Sequence, residues 1–125
     1  MKIFLALLVV LLGALWAWGD NGPKHTIKLT HRQEGRFIQF SVIMPQVDDS
    51  YRWLSIRACT AALDGDNHPY CVGAWEREST MEIRGSQHFI EWRDAAGRML
   101  YVTAIAFDGD NKPICRKSVT LFLRG

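Results

Sequence analysis

The sequence predicts an all-β domain of seven antiparallel strands behind an N-terminal export signal. After Gly19, apolar residues recur with a period of two almost everywhere, which is the pattern of half-buried strands. No window carries the apolar spacing of an amphipathic helix over three turns. Clusters of Gly, Asn, Asp and Pro interrupt the alternation at intervals, as turns between short strands do.

The N-terminal segment is set apart from this domain. Residues 3–18 are almost entirely apolar, a lysine precedes them, and small residues at Ala17 and Gly19 suit a signal peptidase. The run is shorter than the roughly 20 residues of a permanent membrane helix. We therefore expect a cleaved signal peptide over 1–19 and a mature domain over 20–125. An uncleaved anchor formed by 3–18, with tryptophans at the membrane interface, is the alternative.

The strands of the mature domain are predicted from alternation and from the turns that bound it. Alternation is clearest in the second strand, where Ile38, Phe40 and Val42 are expected to face the core. The predicted strands are 25–31, 36–44, 52–62, 70–78, 80–84 with a possible continuation through 88–92, 99–107 and 114–123.

The stretch YVTAIAFDGDNKPICRKSVTLFL, which begins at Tyr101, pairs a strand that starts with Tyr with an alternating last strand across an Asp/Gly/Asn turn. It resembles the closing hairpin of bacterial immunoglobulin-like (Ig-like) and fibronectin type III-like domains. The resemblance is close over this hairpin and extends to the rest of the chain by strand count. It implies a seven-stranded antiparallel sandwich over 20–125. The chain lacks the second-strand Trp of fibronectin type III domains and the inter-sheet cysteine pair of antibody domains.

The stretch LDGDNHPYC at 63–71 is nearly repeated as FDGDNKPIC at 107–115. Asp at the start of a turn accepts backbone N–H bonds, Gly and Asn tolerate positive φ, and Pro fixes φ where the next strand begins. Calcium is the alternative, although each copy offers too few oxygen ligands for a full cage. The carboxylates concerned are Asp64, Asp66, Asp108 and Asp110. Because the two hairpins of such a sandwich leave from opposite ends of one sheet, they cannot share an ion. We predict two plain turns and no metal.

Three cysteines lie in the exported part, where an oxidising compartment permits a disulfide. If the first hairpin is centred near Gly65, Cys59 lies opposite Cys71, and we predict a bridge between them. Cys115 has no such partner. Alternation along the last strand turns Cys115 inward, whereas the match with Cys71 turns it outward, and both orientations remain open.

The same register predicts a binding surface on the outward face of the sheet. It sets Trp53 opposite Arg77 and places Arg57 and Trp75 on the same side, and Trp and Arg are enriched at interface hot spots. The predicted surface consists of Trp53, Arg57, Trp75 and Arg77. In the alternative reading these residues only cover the sheet, with arginine stems packed over indole rings. Tyr101 extends the surface if it leaves the core, which the ambiguous alternation of the sixth strand leaves open.

Charge and motifs restrict the function. The formal net charge is +2, or +1 once Lys2 is removed, and no basic block supports binding to nucleic acid or anionic membranes. The four histidines are scattered and no catalytic or cofactor motif occurs, so we expect neither catalysis nor a cofactor. The sequence predicts an extracytoplasmic binding or structural module of an envelope, surface or virion. Its expected partner is a protein or a glycan, and it meets the membrane only if the N-terminal segment stays uncleaved. The alternatives are a small secreted carbohydrate-binding accessory protein that uses Trp53 and Trp75, and a secreted enzyme of unrecognised type.

Overall fold

A computed structural model describes residues 25–125, so the predicted signal peptide and its alternative as an anchor lie outside the described residues. Those residues form seven β-strands and no helix, and none of them belongs to a helix that could cross a membrane. The strands are β1 (Lys28–Glu34), β2 (Phe37–Ile43), β3 (Tyr51–Leu63), β4 (Pro69–Glu82), β5 (Gln87–Trp92), β6 (Met99–Asp108) and β7 (Pro113–Phe122).

The strands form two antiparallel sheets. One contains three strands in the order β1-β2-β5, and the other contains four in the order β4-β3-β6-β7. A single cluster of buried side chains draws on both sheets, which makes the architecture sandwich-like. The predicted all-β class and the seven antiparallel strands are confirmed.

The core is built by alternate residues of the central strands. Phe40 on β2, Leu54 and Ile56 on β3, and Val102 on β6 are all 0% exposed. Burying each such side chain contributes about 1.5–3 kcal/mol relative to leaving it in water. The inward alternation predicted for β2 is confirmed. On β6 the inward set begins at Leu100, so the competing set that includes Tyr101 faces outward.

The boundaries predicted for three strands are wrong. The fourth strand does not end at residue 78 but continues to Glu82, and the fifth begins only at Gln87. Because β4 pairs with β3 while β5 pairs with β2, the chain must cross between the sheets here. The crossing occurs at Gly85, whose φ of +140° favours glycine. The first strand is also displaced, since it runs over Lys28–Glu34 instead of 25–31 and turns at a positive-φ Gly35.

Candidate functional site

The first DGDN segment forms a tight turn organised by one carboxylate. Asp64 Oδ1 accepts hydrogen bonds from the backbone N–H of Asp66 at 2.8 Å and of His68 at 2.9 Å. Asn67, rather than Gly65, adopts the left-handed conformation, with φ of 63°. This is the Asx-type turn expected of an Asp at the first position.

The second segment repeats the same geometry. Asp108 Oδ1 accepts from the N–H of Asp110 at 2.8 Å and of Lys112 at 2.9 Å, and Asn111 has φ of 62°. The two turns lie at opposite ends of the sheet, because β3 and β6 are antiparallel neighbours. They therefore cannot share an ion, as predicted.

Among residues 25–125, one group of side chains has a geometry that would suit the alternative hypothesis of a calcium site. Ligand atoms of Asp64, Asp66 and His68 come within 4.8 Å of one another on the exposed first turn. Asp64 already uses one carboxylate oxygen to hold the turn, and Lys112 occupies the place of His68 in the second turn. Hydrogen bonding within the turn accounts for both segments, and we retain the prediction of turns without metal.

Cys59 and Cys71 lie at disulfide-bonding distance, with Cα atoms 5.6 Å apart, so the predicted pairing is confirmed. The predicted register is wrong. Cys71 lies opposite Ala61 and not opposite Cys59, which places the centre of the hairpin at Asp66 instead of Gly65. The bridge therefore runs diagonally between β3 and β4.

A bulge next to the bridge changes the face of every later residue of β4. Between Cys59 and Ala61, β3 advances by two residues (59 to 61), whereas β4 advances by five (71 to 76), so β4 holds three more residues. Gly73, in this bulge, has φ of 75°. Because side chains alternate between faces, an odd insertion inverts the pattern. Beyond the bulge, Arg57 lies opposite Glu78 and Trp53 opposite Glu82.

The bulge corrects the predicted positions of Trp75 and Arg77. Trp75 is 8% exposed and belongs to the core, with its indole Nε1 buried and unpartnered in the described structure. Arg77 lies opposite Ala58, and its Cζ is 4.6 Å from the centre of the Trp75 ring; Arg98 approaches the same ring to 5.3 Å. The alternative interpretation, in which an arginine packs over an indole ring, therefore describes Arg77 and Trp75. Of the four predicted surface residues, only Trp53 and Arg57 remain on the outward face.

The outward face of the four-stranded sheet carries a different cluster around these two residues. Across β3 and β6, Trp53 lies opposite Phe107 and Cys59 lies opposite Tyr101. Together with Ile105 they form a line of mostly apolar side chains along the middle of the sheet, in which Thr103 and Arg57 separate Tyr101 from Ile105. We call it the central stripe, and its side chains are those of Trp53, Tyr101, Ile105 and Phe107.

A concavity of about 380 Å³ lies over one end of the central stripe and the disulfide. This volume falls at the small end of the range of ligand pockets, which is about 300–1,000 Å³. Acidic side chains from β4 and an arginine from β7 line opposite sides. The polar lining side chains include Arg57, Glu76, Glu78, Tyr101, Thr103 and Arg116. Arg77 and its partner Ala58, which belong to the inward face, border the concavity as well, so of the four predicted surface residues only Arg57 lines it from the outward face.

The polar groups of the cavity are linked around Tyr101. Thr103 Oγ1 and Ser118 Oγ are 3.0 Å apart. Hydrogen bonds from Ser118 and Thr103, with the positive charge of Arg116, lower the pKa of the Tyr101 hydroxyl below its ordinary value. Neither Arg57 nor Arg116 forms an ion pair with any acid in the described part of the chain. The cavity thus presents two guanidinium groups without a salt bridge, of which Arg57 lies directly opposite Glu78.

Sequence reasoning missed most of this lining. The signal was the alternation of β6, in which Leu100, Val102 and Ala104 face the core and leave Tyr101 and Thr103 outside. The sequence of β6 contains two sets of alternate residues that are similarly apolar. Periodicity alone therefore could not show which set faces the core.

The outward face of the three-stranded sheet is more polar. Arg32 and Gln39 are paired there, and Ser41 lies opposite Phe89. Phe89 is 59% exposed, and it lies opposite Ser41 and between Gln87 and Glu91 on this face. The central stripe therefore distinguishes the two faces.

No protein-family model matches the chain, and no curated protein matches it. The class is defined by the fold alone: a small all-β protein of two antiparallel sheets with one cysteine bridge.

Proposed function

We propose that the protein is an exported Ig-like β-sandwich that acts as a non-catalytic binding module of a cell envelope, surface or virion. The apolar segment 3–18 supports export, and the Cys59–Cys71 pair is compatible with an oxidising compartment. The binding surface of this proposal is the outward face of the four-stranded sheet.

The strand order supports the Ig-like part of the proposal. In antibody constant domains the first, second, fifth and fourth strands form one sheet, and the third, sixth and seventh form the other. Here β1, β2 and β5 remain together, as do β3, β6 and β7, and only β4 has changed sheet to pair with β3. This shared grouping of strands supports the proposed Ig-like assignment.

The observation that carries the binding function is the central stripe. Trp53 is 40% exposed and lies opposite Phe107 of β6 on a face that no other described element covers. Exposed aromatic and apolar side chains with charged neighbours are typical of interaction sites. Catalysis has less support, since the His68–Asp64 pair lies on an exposed turn outside the cavity.

Retention on isolated envelopes or particles tests this function. The purified protein is mixed with them, sedimented and quantified, and Trp53→Ala and Tyr101→Ala are compared with the parent. We expect each substitution to weaken retention by at least about thirtyfold, because losing a hot-spot side chain costs about 2 kcal/mol or more. Phe89→Ala is the matched control, because it removes an exposed aromatic ring from the other sheet. Equal retention of Trp53→Ala and the parent, or an equal loss in Phe89→Ala, would count against the chosen face.

A further inference from the structure

Two arginines on the proposed binding face form no salt bridge in residues 25–125, although one of them, Arg57, lies directly opposite Glu78 of β4. Arg57 on β3 lies opposite Thr103 of β6, and Arg116 on β7 lies opposite Ile105 of β6, so the pair flanks one strand. Both line the same cavity and both are exposed. Each guanidinium has five N–H donors in a planar fork that matches a carboxylate. In residues 25–125 neither side chain donates a hydrogen bond to, or forms an ion pair with, another protein group.

The side of the cavity formed by β4 carries negative charge. Glu76 and Glu78 on β4 line it and form no ion pair within the part of the chain that the structure describes. An ionised carboxylate only accepts hydrogen bonds. A ligand that matches the cavity therefore has hydrogen-bond donors on the side of β4 and a negative charge on the side of β7.

The floor between these two sides is aromatic and apolar. Tyr101 and Ile105 contribute to it, beside the Cys59–Cys71 bridge, and the hydroxyl groups of Thr103 and Tyr101 reach the same space. An aromatic ring can cover the apolar C–H face of a sugar while its hydroxyl group hydrogen-bonds to the rim. A sugar ring of this kind also fits the volume of about 380 Å³.

We propose, building on the binding function above, that this cavity binds an acidic sugar of the uronic acid type. The sugar carboxylate lies toward Arg116 and Arg57, and its hydroxyl groups donate to Glu76 and Glu78. The ring lies over Tyr101. An acidic peptide also supplies a carboxylate, but a sugar ring adds several hydroxyl donors and an apolar C–H face within the space of one ring, so the glycan matches more of the cavity.

Calorimetric titration of the purified protein tests the assignment. The probes are oligosaccharides of galacturonate, glucuronate and mannuronate, each compared with the same oligosaccharide after its carboxylates are reduced to alcohols. We expect at least one acidic form to bind and its reduced form to bind at least tenfold more weakly. We expect Arg57→Gln and Arg116→Gln each to reduce the affinity by about tenfold, the effect of one charged hydrogen bond.

Arg32→Gln is the matched control, because it removes the same charge from the outward face of the other sheet; its affinity should stay within about twofold of the parent. Thermal melting of each variant verifies that the fold is intact. The proposal is overturned if reduced and acidic forms bind equally, if none of the acidic probes binds, or if poly-glutamate binds in their place. If Trp53→Ala still loses retention on envelopes or particles in any of these cases, the binding face stands and only the ligand class fails.

Discussion

Cys71 and Cys115 occupy the same position in two nearly identical hairpin sequences, yet they point to opposite faces of one sheet. Cys71 lies opposite Ala61 on the outward face, whereas Cys115 lies opposite Ala106 on the inward face. One extra residue in β7, Ile114, causes the difference, because the pairing skips it between Cys115 and Pro113. The inward orientation of Cys115, one of the two that the sequence left open, is thereby established.

The position of Cys115 predicts a slowly reacting thiol. Burial raises the pKa of this thiol, and the hydroxyl of buried Tyr51 lies 4.0 Å from its sulfur. Since the thiolate is the reactive form, alkylation by iodoacetamide at pH 8 should be at least about tenfold slower in the native protein than in urea. Intact mass should show one alkylated cysteine in urea without reductant and three with it. Equal native and denatured rates would contradict the burial, and three alkylated thiols without reductant would contradict the Cys59–Cys71 bridge.

The two tryptophans of the predicted surface should differ in their effect on stability. Trp75 belongs to the core, so Trp75→Ala should lower the free energy of unfolding by about 3–5 kcal/mol. Trp53 is partly exposed on the outward face, and Trp53→Ala should cost less than about 1 kcal/mol. Urea denaturation of both variants measures the difference. Similar losses in the two would mean that Trp75 does not occupy the core as described.

The two turns should contribute equally to stability. Asp64→Ala and Asp108→Ala each remove an acceptor of two backbone hydrogen bonds, and we expect each to cost about 1 kcal/mol. Asp→Asn at either position keeps one oxygen acceptor and serves as the milder control. Calcium should leave the melting temperature of all variants unchanged. A calcium-dependent rise that disappears only in Asp64→Ala would instead assign a metal to the first turn and its neighbour His68.

His88 should make stability depend on pH. Its Nε2 accepts a hydrogen bond from the backbone N–H of Arg84 at 3.1 Å, and its Nδ1 is buried. Burial lowers the pKa of His88 from its ordinary value of 6.5, so below this pH the unfolded chain binds the proton more readily than the folded one. The contribution to folding is fully present above pH 6.5 and is lost as the pH falls toward the lowered pKa.

Thermal melts between pH 8 and pH 5 measure this loss for the parent and for His88→Gln, whose side-chain oxygen can accept the same hydrogen bond. We expect the parent to lose more stability than the variant over this range. Parallel pH profiles for the two proteins would show that His88 does not contribute to the dependence.

The fold class could be predicted because strong local patterns agreed with it. The inward set of β2 alternates without a competing set, and both Asp-Gly-Asp-Asn segments have a turn as their simplest explanation. The pairing of Cys59 with Cys71 was also accessible, because a diagonal and a direct bridge both join neighbouring strands across a short turn.

The candidate site could be predicted only in part, because it depends on how strands are shifted past one another. Trp53 and Arg57 precede the bulge and face outward as predicted. Trp75 belongs to the bulge and Arg77 follows it. The local amino-acid composition gives no indication that β4 contains three extra residues. Arg116 enters the site because β7 also contains an irregularity. Register is a property of two strands together, whereas periodicity describes each strand alone.

The number of residues in the bulge of β4 determines which later residues of this strand face each side of the sheet. Its three additional residues place Glu76 and Glu78 toward solvent and Arg77 on the other side. Removal of one bulge residue, such as Gly73, would exchange these sides, bringing carboxylates over the buried Ala58 and moving the arginine out. Removal of two would preserve them. Variants that lack one residue of this segment should therefore be less stable than variants that lack two, a difference that thermal melting measures.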